Sequence, residues 1–155
     1  SIIPFFKELL RDWKSLPITH VEMTRYFMTL WEAIWLVFKA CENCYGWETY
    51  VTKMPACNII DLAKVLSKHY NREFKYHDIW IRPWEKLHEE LISEYEAPNT
   101  GEDENFRIHL PLDWYLNTEY ENYKKMTDPK YTSNDYLMSV KEIHSMLEKW
   151  WFLID

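Results

Sequence analysis

The chain has 155 residues, 47% of them hydrophobic, with 18 Lys and Arg against 25 Asp and Glu, a net charge of −7 and a pI near 5.4. That length buries one core, the acidity argues against nucleic acid, which requires a basic face, and no apolar run reaches the roughly 18 to 20 residues of a membrane-spanning helix. Three cysteines, Cys41, Cys44 and Cys57, with no second Cys-x-x-Cys and no histidine at finger spacing, read as free thiols in a reducing compartment rather than as zinc ligands.

The first element is a helix over residues 2–12, with apolar side chains at helical spacing and Pro4 in the first turn. Residues 16–19 read as a short strand entered through Pro17, and 23–29 as a second extended segment rich in β-formers. Thr29 and Glu32 make a capping box for a helix reaching about residue 43, expected to act as scaffolding. A Tyr45-Gly46-Trp47 turn leads to an alternating strand over 48–53. Asn58 then caps a strongly apolar helix over 59–69, where His69 is a C-terminal cation rather than a catalyst. A strand near 73–77 follows, then a loop and a helix over 85–93. The acidic stretch 98–105 is a break that divides 1–97 from a tail. The tail holds a short strand over 106–110, a polar, tyrosine-rich stretch and a closing helix over 139–149.

The most informative stretch is Trp80-Ile81-Arg82-Pro83-Trp84-Glu85-Lys86-Leu87-His88-Glu89. An Arg-Pro turn set against a helix start offers fixed cations and N–H groups to an anion, although a solvated helix start after proline has the same local pattern. Arg25 by itself reads as a surface ion pair with Glu22 or Glu32. There is no Gly-x-x-Gly-x-x-Gly turn, hence no dinucleotide fingerprint. Tyr120 and Lys124 have Tyr-x-x-x-Lys spacing but sit in the tail, and no Ser-His-Asp or metal pattern is present.

The decapeptide resembles the G-I-R-P-G-E-K-L-H-E signature of nucleotide-sugar 4,6-dehydratases, within the extended short-chain dehydrogenase/reductase superfamily. The segments beginning at Ile2, Pro17 and Met23 are similar to that family's S-V-I-P-F-F-K-K-L, P-I-T-D and M-T-R-F-W-M-T, with His20 in place of the usual Asp. Residues 131–140 loosely resemble its Y-S-S-N-N-N-x-W-L-S-V end. The resemblance implies an α/β fold, the C-terminal substrate-binding part of an extended Rossmann-type dehydratase or epimerase, with short strands and packed helices. It assigns 1–97 to UDP-sugar binding and 98–155 to a tail with a short strand and a closing helix. It also implies that the N-terminal dinucleotide-binding domain, which carries the catalytic tyrosine and lysine and binds NADP or NAD, is absent from this chain. By the same carry-over Pro17, Thr19, Arg25, Arg82, Glu85 and Lys86 are substrate-binding residues, Pro4 and Lys7 are secondary candidates, and Arg25 and Arg82 are expected to converge on one cleft as a diphosphate clamp. The implied substrate is a UDP-N-acetylhexosamine, used in surface-polysaccharide or flagellin-glycan synthesis by a cytoplasmic enzyme that is a homo-oligomer when full-length. This chain alone would then be inactive. A UDP-sugar 4-epimerase fragment and a non-catalytic binding module are the alternatives.

Two glycines stand against nine tryptophans, where average usage gives about 11 glycines for this length. Trp13, Trp47, Trp80 and Trp84 occupy places where the resembled family carries glycine. One decoding rule, UGA read as glycine in the source and as tryptophan here, explains both anomalies.

Overall fold

In the computed structural model, which describes residues 1–112 and 118–153, the helices are α1 (Ile2–Arg11), α2 (Leu30–Asn43), α3 (Ile59–His69) and α4 (Val140–Lys149). The strands are β1 (Leu16–Ile18), β2 (Thr24–Tyr26), β3 (Thr49–Thr52), β4 (Ala56–Asn58), β5 (Tyr76–Asp78), β6 (Glu90–Ile92), β7 (Thr100–Glu102), β8 (Phe106–His109), β9 (Lys124–Lys125) and β10 (Tyr131–Thr132). The fold is α/β with short strands, as the sequence implies.

Apolar periodicity accounts for the main core. Ile3, Phe6 and Leu10 of α1 form one stripe; Ile59, Leu62, Ala63, Val65 and Leu66 of α3 and Ile143, Met146 and Leu147 of α4 form two more, and all meet Leu16 and Ile18 of β1. Each fully buried Leu or Ile here contributes about 1.5 to 3 kcal/mol. Local capping fixes the helix starts. The Asn58 side chain accepts from Ile60 N at 2.7 Å, and capping boxes join Thr29 to Glu32 and Ser139 to Glu142. His69 lies in the last turn of α3, where a cation suits the helix dipole.

The strands form one four-stranded antiparallel sheet, ordered β3-β8-β7-β9, and three two-stranded ladders. β1 runs parallel to β5, with Leu16 opposite Tyr76 and Ile18 opposite Asp78. β2 is antiparallel to β4, which sets Arg25 opposite Cys57. β6 is antiparallel to β10. Pairings therefore cross from the first 97 residues to the rest: β8 lies on β3, β10 on β6, and α4 packs on α3. Residues 113–117 of the tyrosine-rich stretch lie outside the described residues.

One predicted element is absent. Residues 85–93 do not form a helix; a turn over 82–85 is followed by irregular chain and β6. Two causes compete successfully with helix propensity. Trp84 has φ 74°, a left-handed backbone that cannot open an α-helix, and the Leu87 carbonyl accepts from Thr24 N (3.1 Å) and Arg25 Nη1 (3.2 Å) rather than from a residue one turn ahead. β4, β6, β7, β9 and β10 are short strands whose existence rests on pairing across the fold.

Candidate functional site

The end of β1, strand β2 and the signature loop meet around a cleft of about 370 Å³ whose walls include Pro17, Thr19, Met23, Arg25, Phe27 and Glu85. Strand alternation explains β2: Thr24 points inward and is 1% exposed, while Arg25 turns to the cleft side. The guanidinium is held on all sides. Nη1 donates to Thr24 O at 2.7 Å and to Leu87 O at 3.2 Å, Nη2 stands 3.5 Å from Glu85 Oε1, and Nε stands 3.4 Å from Glu89 Oε1. Such a side chain has little freedom left to lose on binding, which is the condition for a preorganised anion ligand.

The loop is fixed by its own turn and by remote partners. Glu85 N donates to Arg82 O at 3.0 Å with Pro83 and a positive-φ Trp84 between them, the arrangement of a type II turn. Glu85 then bridges the two arginine segments, since one carboxylate oxygen faces Arg25 and the other accepts from Arg82 N at 3.3 Å. Beyond the turn, Thr24 Oγ1 lies 2.8 Å from His88 Nδ1 and 2.7 Å from Ser133 Oγ. Ser133 Oγ accepts from Glu89 N at 2.9 Å, and Ser133 N donates to Glu89 O at 2.8 Å. Ser133 is fully buried. This polar knot ties β2, the signature loop and the tail together, and the low dielectric around it makes each bond worth more than at the surface.

Four of the six residues nominated from the sequence, Pro17, Thr19, Arg25 and Glu85, line the same cleft. Arg82 and Lys86 are exposed and are not among its walls. The expected convergence of Arg25 and Arg82 is therefore not present: the type II turn carries the Arg82 side chain to solvent, and only its backbone N–H is linked to Arg25, through Glu85. The surface-pair reading of Arg25 is also corrected. Its partners are Glu85 and Glu89, while Glu32 is engaged in the α2 capping box. Lys7 donates to the Phe152 carbonyl at 2.6 Å, a packing role, and Pro4 is exposed. Thr24, His88, Glu89 and Ser133 were missed. Only the loose match at residues 131–140 pointed to Ser133, because its partner in β2 is 109 residues away.

The spacing match at Tyr120 and Lys124 has no catalytic geometry. Tyr120 is buried and donates to Glu48 at 2.8 Å; burial first, then the Glu48 charge, push its hydroxyl up to about 12, away from the range of a proton-transfer tyrosine. Cys57 is buried, and desolvation raises its thiol to about 12, which leaves it inert. Cys41 and Cys44 are exposed free thiols. Among the described residues no group of three or more His, Cys, Asp or Glu could hold a metal, and no helix is long and apolar enough to cross a membrane. The two glycines lie in the turn before β3 and inside β7, neither at a strand-to-helix turn, so these residues do not fit a dinucleotide phosphate.

Comparison with known proteins bears directly on this arrangement. The family described as "Polysaccharide biosynthesis protein" matches residues 1–110, which include β1, β2, α3 and the whole signature loop. The chain belongs to this family. It is 33% identical over 144 residues to a UDP-N-acetylglucosamine 4,6-dehydratase (inverting) of Campylobacter jejuni, covering 87% of this chain and 42% of that protein. It is 32% identical over 153 residues to a UDP-glucose 4-epimerase of Rickettsia bellii, covering 95% of this chain and 45% of the relative. Among solved structures, Pen from Bacillus thuringiensis superimposes with a TM-score of 0.86 at 28% identity, over 98% of this chain and 46% of that one. The chain thus spans less than half the length of these relatives.

Proposed function

We propose that this chain is the substrate-binding half of a nucleotide-sugar 4,6-dehydratase, with a UDP-N-acetylhexosamine as substrate, acting in surface polysaccharide or glycan biosynthesis. The observation that carries the reading is the cleft in which Pro17, Thr19, Arg25 and Glu85 come together from two strands and the signature loop. In it Arg25 binds the diphosphate, its guanidinium already oriented by Thr24 O and Leu87 O. Glu85 and Glu89 hold the arginine in the free protein and yield its outer edge to the ligand. Arg82 and Lys86 stand on the exposed turn outside the cleft walls and are the outer candidates of this reading. NADP or NAD, which supplies hydride transfer, and the residues that move protons during C4 oxidation and loss of water across C5 and C6 belong to the rest of the protein, and the full-length enzyme is a homo-oligomer in this reading. That remaining part packs, in this reading, on the apolar face of α2, where Leu30, Trp31, Val37 and Phe38 are all exposed.

The similarity of this half to both a dehydratase and an epimerase makes the product the decisive readout. The full-length protein, incubated with UDP-N-acetylglucosamine and NADP, is expected to release a 4-keto-6-deoxy sugar nucleotide; a C4 epimer that has lost no water would assign it to the epimerases instead. Arg25→Ala and Arg82→Ala should each weaken UDP-sugar binding by about 1 to 3 kcal/mol, the value of a hydrogen bond to a charged group. Titration calorimetry checks this, and unchanged affinity in Arg25→Ala would remove the cleft from the substrate site.

A further inference from the structure

Five non-glycine residues among those described have a left-handed backbone: Trp13 (φ 59°), Trp47 (φ 46°), Asn71 (φ 50°), Trp84 (φ 74°) and Trp151 (φ 63°). Asparagine tolerates that region, but for a bulky side chain it is an outlier, because Cβ is driven against the backbone. Four of the eight tryptophans among the described residues sharing this conformation is not a property of indole.

The hydrogen bonds say what each position is. After α1, Trp13 N donates to Leu10 O and Lys14 N to Leu9 O, and after α4, Trp151 N donates to Glu148 O and Phe152 N to Leu147 O. After α3, Asn71 N donates to Lys68 O and Arg72 N to Ser67 O. All three are the same Schellman closure, in which the residue just past the C-cap is left-handed and is ordinarily glycine, sometimes asparagine. Trp84 occupies the third position of the type II turn Arg82-Pro83-Trp84-Glu85, a place that requires positive φ and hence Gly or Asn. Trp47 follows Gly46 in the turn that enters β3, where the Glu48 carboxylate accepts from Tyr45 N and Gly46 N.

The four indoles contribute almost nothing in return. Trp47 and Trp84 are 95% and 98% exposed, Trp13 and Trp151 are also largely exposed, and the one ring contact among them is the Arg72 guanidinium over Trp13. Trp35 is the contrast: it is helical, and its ring stacks on Phe106 with centroids 5.3 Å apart.

We infer that positions 13, 47, 84 and 151 are glycine in the protein as its own host makes it, their codons being UGA read as glycine, while position 35 is an ordinary UGG tryptophan. The assignment differs from the sequence-based one in two places. Trp80 does not have a left-handed backbone, so the conformational argument does not extend to it, and Trp151 is added. The inference is independent of the proposed reaction. Its consequence is that the native signature turn reads Arg-Pro-Gly-Glu, with bare backbone where this sequence places an exposed indole.

The test has two arms. Peptide mass spectrometry of the protein from its native host, read beside the gene, is expected to give glycine over UGA at positions 13, 47, 84 and 151 and tryptophan over UGG at position 35. Tryptophan at any of the four, or glycine at 35, overturns it. In the second arm the full-length protein is made in two forms, and the version carrying Trp13→Gly, Trp47→Gly, Trp84→Gly and Trp151→Gly should melt at a higher temperature, whereas Trp35→Gly should lower it. Alanine at the four positions separates backbone from bulk. If alanine raises the melting temperature as much as glycine does, ring size and not the left-handed backbone is the cause, and the inference fails.

Discussion

α2 and α3 are built by the same local rules and end in opposite environments. Both are capped by a side chain accepting from the first turn, and both are rich in apolar residues. α3 buries Ile59, Leu62, Ala63, Val65, Leu66 and Ser67, whereas no residue of α2 is buried. The difference teaches that capping and periodicity decide whether a helix forms, while burial depends on whether a complementary face exists in the same chain. α3 finds α1 and α4; α2 touches β3 and, through Trp35 and Leu36, the cluster around Phe106 of β8, and leaves Leu30, Trp31, Val37 and Phe38 open.

Truncating a side chain in each helix should separate them most sharply. Leu62→Ala, at a fully buried position of α3, is expected to cost about 3 kcal/mol through lost burial and a residual cavity. Val37→Ala on the open face of α2 should change stability by less than about 0.5 kcal/mol. Urea unfolding of both variants of the 155-residue chain checks the pair, and equal losses would mean that the α2 face is covered in solution.

Removing the caps probes the same contrast at smaller scale. Ser139→Ala should lower global stability by about 1 kcal/mol, because α4 is part of the main core. Thr29→Ala removes an equivalent capping box from a helix that can open by itself, so its effect should appear as faster amide exchange along α2 with little change in the unfolding midpoint. Exchange that stayed slow in Thr29→Ala would show α2 to be coupled to the core.

The smallest effect is electrostatic and sits where α2 hands over to β3. Burial works against the Glu48 charge, but N–H donation from Tyr45 and Gly46 and the Tyr120 hydroxyl outweigh it, so its carboxyl titrates below the ordinary range. A carboxylate depressed on folding stabilises the native state above its unfolded pKa, and that contribution is lost as the pH falls through the folded value. Stability should therefore decline on acidification below about pH 4.5. Glu48→Gln should flatten that part of the profile, as measured by thermal unfolding across the acid range.

Much of this molecule was legible in its sequence because the signals are local. The stripes of α1, α3 and α4, the Thr29 and Asn58 caps and the alternation of β3 are all set within a turn or two of chain, where sterics and hydrogen bonding act between near neighbours. The motif match led to Pro17, Thr19, Arg25 and Glu85, which the fold does gather. Tertiary structure alone decided the rest. It replaced the expected helix after Pro83 with a turn and a strand, since the Leu87 carbonyl and the Glu89 backbone are held by Thr24, Arg25 and Ser133. It sent the Arg82 side chain to solvent instead of into the Arg25 cleft. The new course of the loop depends on partners 44 and 62 residues away, and an interaction between groups that meet only after folding leaves no periodicity in the chain to be read beforehand.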